Sequence, residues 1–140
     1  MTGSRRTRVR GLPSVLGEFP VAALAEEIDT AGDDRIRALI TVAGNPVVST
    51  PDATRMERAL GQLDLLVCLD MYVTETSRHA DVILPAPSPL ARSHYDVVFG
   101  SLAVRNAARW SPAVFPLGPG EKDEGQVLLT LAAIAAGING

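Results

Sequence analysis

Two short runs, Ile36 to Ala43 and Leu65 to Leu69, most constrain what this chain can fold into. Both are rich in apolar and branched residues, and neither alternates apolar with polar. A strand wetted on one face would alternate, so the runs predict strands covered on both faces, the habit of a parallel sheet. The second run begins 29 residues after the first. Between them Gly44-Asn45-Pro46 reads as a turn. Ser49 or Thr50 can then cap a helix with Pro51 at its first position, where a missing N–H costs nothing. Asp52 suits the positive end of that helix, and Met56, Ala59, Leu60 and Leu63 supply its buried stripe. The result is a strand, helix, strand unit. Asp81 to Leu84 offers a third strand. The stretch Met71 to Ala80 is slightly tight for a full crossover helix and predicts a single helical turn through Thr74 to Arg78. The expected fold is α/β: a three-layer, Rossmann-like domain with a mostly parallel sheet, its strands at 36–43, 65–69 and 81–84 parallel neighbours.

Flanking segments extend this pattern. Val21, Leu24, Ala25 and Ile28 form one helical stripe ending near Gly32. Pro85, Pro87 and Pro89 predict an extended surface loop, because proline cannot donate to a ladder. Leu102 to Val104, reaching toward Ala108, is the candidate edge strand. Glu121, Asp123 and Glu124 precede a stripe of Val127, Leu128, Leu131, Ile134, Ala135 and Ile138, so a helix with an acidic first turn ends at Gly137.

Charge and cysteine narrow the function classes. The formal charge is −3, yet Arg5, Arg6, Arg8 and Arg10 carry four positive charges; subtracting them leaves −7 on the rest. An acidic body opposes the phosphate-tracking surface that nucleic-acid binding requires. Residues 1–11 read as a basic flexible tail without the apolar core of a secretory signal, which leaves a cytoplasmic address as the default. Residues 12–140 read as one α/β domain. No apolar stretch approaches the roughly 20 residues of a membrane span. Cys68 is the only cysteine. It therefore forms no internal disulfide or cysteine-rich metal site, and within Leu65 to Leu69 it reads as a buried hydrophobe.

In an open parallel sheet, ligands bind beyond the carboxyl ends of the strands. The loops there, Gly44 to Thr50, Asp70 to Thr76 and Pro85 to Leu90, offer Asn45, Ser49, Thr50, Asp70, Thr74, Glu75 and Thr76. Asp70 and Glu75 suit a ribose diol or purine N–H donors, and a helix opening at Thr50 suits phosphate oxygens. A nucleotide fits this inventory, although neither G-x-G-x-x-G nor G-x-x-x-x-G-K-[ST] is present. The bland alternative is that these residues only turn, cap and end elements. His79 and His94 lack a ligand set, and His79, beside a strand entrance, suits an orienting hydrogen bond. No catalytic residue and no metal ligand is assigned.

One block is more specific. Ala43-Gly44-Asn45-Pro46 after a strand, Ala59-Leu60 through Leu69-Asp70, and Thr74-Glu75-Thr76 leading to Ala80-Asp81-Val82-Ile83-Leu84-Pro85 resemble the molybdopterin oxidoreductase family of formate dehydrogenases and dimethyl sulfoxide reductases. The resemblance implies part of an α/β domain that holds a molybdopterin guanine dinucleotide. By position it implies guanosine contacts at Gly44, Asn45 and Ser49, at Leu69 and Asp70, and at Ala86. It further implies an acid reading the guanine edge, matched by Glu124 with Asp123 as the alternative. Two carboxylate oxygens can accept guanine's adjacent N1–H and N2–H donors together.

After Pro85 the chain departs from many relatives: an acidic residue and a Gly-Thr-x-Asn turn are replaced by Leu90-Ala91-Arg92-Ser93-His94-Tyr95-Asp96. The family's iron-sulfur cysteines and metal-ligating loop have no counterpart. The resemblance therefore implies a monomeric fragment without turnover of its own. Its partners would be the remaining domains of a parent oxidoreductase holding molybdenum or tungsten elsewhere, with no nucleic acid or membrane partner. A free-standing nucleotide- or partner-binding α/β module is the alternative, and the middle domain of a thiamine diphosphate enzyme is a second rival.

Overall fold

The computed structural model describes residues 2–96, 103–105 and 107–138. Where a single domain over 12–140 is expected, the chain divides into two units, Met1–Pro85 and Ala86–Gly140.

The first unit is built on three parallel strands, β3 (Ala38–Val42), β4 (Leu65–Asp70) and β5 (Val82–Pro85), in the order β3-β4-β5. Ile40 lies beside Val67 and Val67 beside Val82, while Val42 lies beside Leu69 and Leu69 beside Leu84. Helix α1 (Leu24–Asp29), entered through a 3₁₀ turn at Val21–Ala23, and helix α3 (Ala53–Leu60) supply the core with Ala25, Ile28, Met56, Ala59 and Leu60. These pack with Leu66 and Cys68, as the stripe on residues 56–63 predicts, and Cys68 is fully buried. Because side chains alternate along a strand, Leu66 and Cys68 face the helices while Ile40, Val42 and Leu65 face the other way.

The second face of the sheet is apolar and half exposed among the described residues. Ile40, Val42, Leu65 and Val82 are each between 42% and 48% exposed. Only Val67 and Leu69, in the central strand, are buried there. The described residues form a sheet with helices on one face.

Several boundaries also differ. The first helix stops at Asp29, three residues before Gly32. The turn at Asn45 opens directly into α2 (Pro46–Ser49), with Pro46 in its first turn. Ser49 ends this short helix, and the Thr50 hydroxyl bonds back to the Pro46 carbonyl at 2.7 Å. The cap of α3 is therefore Asp52, whose carboxylate accepts the Arg55 N–H at 3.0 Å from a left-handed backbone with φ +59°. Proline at position 46 starts a helix as readily as proline at 51 does, which is why a separate short helix precedes α3. The helical turn between β4 and β5 lies at Ser77–His79, slightly later than expected. Pro85 ends β5 beside Asp70, where a strand terminus tolerates its missing N–H.

The basic arm is not a solvated tail. Strand β1 (Thr2–Arg6) pairs antiparallel with β2 (Pro13–Val15). Arg8 donates to the Thr30 carbonyl at 2.7 Å and to the Ala31 carbonyl at 3.3 Å, satisfying the open end of α1. Glu27 accepts the Arg8 and Val9 N–H groups at 3.2 and 2.9 Å. Arg10 pairs with buried Glu26. A buried carboxylate requires such a partner, so Glu26 and Glu27 hold the arm down.

In the second unit, β6 (His94–Asp96) and β7 (Arg109–Ser111) form an antiparallel pair with Tyr95 beside Trp110. The edge strand expected over 102–104 falls partly outside the described residues, and residues 103–105 are bends rather than strand. Helix α4 (Glu124–Ala135) begins with a capping box. The Asp123 carboxylate accepts the Gly125 N–H at 2.8 Å, and the Gln126 side chain accepts the Asp123 N–H at 3.3 Å. Gly137, at φ +72°, ends it as expected. None of its residues is buried. No helix among the described residues is long and apolar enough to cross a membrane.

A two-pronged ion pair joins α1 to α3. Arg55 Nε and Nη2 donate to Asp29 at 2.8 and 2.9 Å. The Arg55 hydrogen bond holds the Asp29 carboxyl below its ordinary 3.8, against an opposing effect of burial. A carboxyl lowered on folding stabilises the fold fully above its unfolded value, and the contribution fades as pH falls through the native value. Asp29→Asn is therefore expected to lower the urea midpoint at pH 7. Its deficit should shrink as the pH is taken below 3.8; a deficit unchanged with pH would exclude this ion pair as its source.

Candidate functional site

The carboxyl ends of β3 and β4 bring two of the expected loops together. The Ala43 N–H donates to the Leu69 carbonyl at 2.9 Å, so the chain leaves β3 tied to the end of β4. Ala43 is left-handed, with φ +49°, a conformation that strains a residue carrying a Cβ. Gly44 follows without a left-handed φ, and a Cβ built on it would meet only the Val42 carbonyl, at an ordinary 3.7 Å. Neither backbone nor space among the described residues therefore requires glycine at position 44. Neither the Gly44 nor the Asn45 N–H finds an acceptor among the described residues.

Both ends of the Asn45 side chain are engaged, with one amide N–H left over. Its amide nitrogen donates to Glu75 Oε2 at 2.7 Å, and its amide oxygen accepts the Thr76 hydroxyl at 2.7 Å. The Val47 N–H donates to that same hydroxyl at 3.1 Å. Thr76 is completely buried. The hydrogen bond from Asn45 holds the Glu75 carboxyl below the usual range. Ser49 returns its hydroxyl to the Asn45 carbonyl at 2.9 Å.

The end of β4 supplies the second loop. The Leu69 side chain is buried, so its outward contribution is its main chain. Asp70 is half-buried; one carboxylate oxygen accepts the Met71 and Tyr72 N–H groups at 2.8 and 3.4 Å. Its other oxygen has no partner among the described residues and remains an acceptor for a diol. The connection to β5 is tied internally. Ser77 Oγ accepts the Thr74 N–H at 2.7 Å and donates to the Tyr72 carbonyl at 3.2 Å. His79 makes the orienting contact expected of it, 3.2 Å from Glu57, which Arg78 also pairs.

Gly44, Asn45, Ser49, Leu69 and Asp70 therefore belong to one edge of the sheet in the first unit. Thr50, expected there as an anion-binding helix start, is buried and internally bonded instead. Ala86 directly follows β5 and begins the second unit. Asp123 and Glu124 lie at the start of α4, where Asp123 serves as the cap and Glu124 forms an ion pair with Arg92. Glu75 and Thr76 are legible in the sequence as loop polar groups, but their partner Asn45 is distant in sequence and appears only when the strands pair in parallel.

A cavity of about 410 Å³ lies elsewhere in the first unit, walled by Thr7, Phe19, Val21, Leu24 and Ile36. Arg6, Arg8 and Glu27 border it; Glu27 accepts from the arm, while Arg8 Nε is buried without a hydrogen-bond partner among the described residues.

The model of the family described as "Molybdopterin oxidoreductase" matches residues 4–98, more than half of the chain. The chain belongs to the molybdopterin oxidoreductase family. It is 36% identical to the assimilatory nitrate reductase catalytic subunit of Bacillus subtilis over 110 residues, which is 77% of this chain and 14% of that protein. It is 46% identical to the F420-dependent formate dehydrogenase subunit alpha of Methanocaldococcus jannaschii over 63 residues, 45% of this chain and 9% of that protein. Against the dimethyl sulfoxide/trimethylamine N-oxide reductase of Rhodobacter capsulatus it is 37% identical over 91 residues, 57% of this chain and 11% of that protein. The family match contains both loops at the sheet edge, and the chain spans only about a seventh or less of these relatives.

Strain at Ala43 gives a test of the loop's geometry. Replacing alanine by glycine usually destabilises through the freer unfolded chain, but here it also relieves a left-handed backbone. Ala43→Gly is expected to be neutral or stabilising by up to about 1 kcal/mol in urea unfolding. A loss of that size would contradict the left-handed assignment.

Proposed function

We propose that this chain holds the guanosine end of a molybdopterin guanine dinucleotide within a larger molybdopterin-dependent oxidoreductase and performs no turnover alone. The observation that carries this reading is Gly44. A glycine required by neither its own backbone nor its described neighbours, with two consecutive N–H groups that have no acceptor among the described residues, suits the close approach of a ligand's oxygen. Asp70, with one free carboxylate oxygen, suits the ribose diol. Ser49 and the Leu69 main chain complete that wall, and Ala86 adds a contact after β5.

For the guanine edge, Glu124 is preferred to Asp123. Asp123 is occupied as the helix cap, whereas Glu124 retains one oxygen, Oε1, beyond its pairing with Arg92 through Oε2. The cofactor, when bound, would supply redox chemistry at molybdenum or tungsten carried elsewhere in the parent; this chain's residues bind and orient. The remaining domains of that parent are the partners. The apolar open face of the sheet supports a three-layer, Rossmann-like arrangement in which a second layer covers Ile40, Val42, Leu65 and Val82. A cytoplasmic location belongs to the same reading.

Titration of the isotope-labelled chain with guanosine diphosphate, followed by nuclear magnetic resonance, tests the proposal. Shifts are expected at residues 44–50, at Leu69 and Asp70, and near Glu124, with adenosine diphosphate competing poorly. Gly44→Ala should keep the wild-type thermal midpoint yet weaken binding about tenfold, because the new methyl occupies the approach path. Shifts confined to His79, His94 or the arginine arm, or equal binding of both nucleotides, would reject it.

A further inference from the structure

We propose that Glu75 and Thr76 are positioning residues that lock Asn45, so that the loop after β3 meets its ligand through the Gly44 and Asn45 main chain. This rests on the cofactor-holding reading above and specifies which atoms of the loop make the contact. A threonine hydroxyl has one donor and two acceptor sites. Thr76 uses its donor on the Asn45 amide oxygen and one acceptor on the Val47 N–H, bridging both sides of the turn at Pro46. With Thr76 and Val47 buried, loss of that hydroxyl would leave the Val47 N–H without a partner away from water and release the half-buried Asn45 amide oxygen.

Glu75 then fixes which way the amide points. A carboxylate only accepts, so it must face the amide nitrogen of Asn45, and the oxygen must face Thr76. The two contacts agree on one orientation, and the donors and acceptors run head to tail from the Val47 N–H through Thr76 and Asn45 to Glu75. Such a chain strengthens each of its members. The ionised form of Glu75 is the one the network favours.

The consequence concerns recognition. Asn45 occupies a position where the family resemblance implies a guanosine contact, yet both ends of its side chain are engaged within the protein. Apart from the second amide N–H of Asn45, what remains for a ligand at this turn is main chain: the Gly44 and Asn45 N–H groups, beside a residue without a Cβ. Main-chain donors suit an oxygen of the ribose or phosphate and are indifferent to the base. Discrimination of guanine then rests mainly on groups elsewhere in the site.

Three variants of the full chain test the lock: Thr76→Val, which keeps the side chain's shape and removes the hydroxyl; Thr76→Ser, which restores the hydroxyl; and exposed Glu75→Ala. Amide resonances of Gly44 and Asn45 are read first without ligand, then the affinity for guanosine diphosphate is measured. Thr76→Val is expected to shift or split both resonances and weaken binding about tenfold, the scale of one lost hydrogen bond, while Thr76→Ser retains both properties. Amides of Met56 and Cys68 should stay in place, which separates positioning from general loss of structure. If Thr76→Val disturbs those core amides, Glu75→Ala decides: movement of the Asn45 side-chain amide together with the Gly44 resonance supports the lock, and unmoved resonances overturn it. Unchanged Gly44 and Asn45 resonances in Thr76→Val also overturn it. Should the unmodified chain show no shift at residues 44–50 with guanosine diphosphate, the cofactor-holding reading fails, while the unliganded resonances still judge the lock.

Discussion

Parallel pairing of β3, β4 and β5 is the constraint on which the site depends. It places the carboxyl ends of all three strands on one edge, so Val42, Asp70 and Pro85, distant in sequence, leave the sheet side by side. The bond from the Ala43 N–H to the Leu69 carbonyl extends that pairing one step past the ladder. Asn45, Glu75 and Thr76 continue it with side chains. The loops are therefore a prolongation of the sheet's register. Antiparallel pairing of the same strands would send Gly44 and Asp70 to opposite ends.

Helical packing secures this register from one side. Leu66 and Cys68 in the central strand are held under Ile28, Met56 and Ala59, so a slip of one residue in β4 would turn those apolar side chains away from the helices. The Asp29–Arg55 pair and the arginine arm on Glu26 and Glu27 tie α1 to its surroundings. The charge separation in the sequence, positive before Gly11 and negative after it, is thus resolved within the first unit.

Much of this was legible beforehand. The unalternating runs predict the parallel strands, the spacing of Met56, Ala59 and Leu60 predicts a buried helix face, and Asp123 with the following stripe predicts α4. The motif block marks the family. What escaped was determined by partners distant in sequence. A run of arginines looks solvated until Glu26 and Glu27 are placed beneath it, and apolar strands look doubly covered although the described residues cover only one face. A separate short helix starts at Pro46, and the helix expected from Thr50 starts at Ala53 under Asp52, because two prolines satisfy the same local rule. Asn45 was legible as a site residue, but its engagement by Glu75 and Thr76 depends on strand pairing that no local pattern contains.

The central claim is that the guanosine end of a cofactor rests on the edge formed by Gly44, Asn45 and Asp70. Intermolecular nuclear Overhauser contacts between guanosine diphosphate and the labelled chain measure this directly. The account predicts cross-peaks from ribose protons to the Gly44 and Asn45 amides and to residues adjoining Asp70. Cross-peaks confined to the apolar cavity at Phe19, Leu24 and Ile36, with none at residues 44–49 or 69–70, would contradict it.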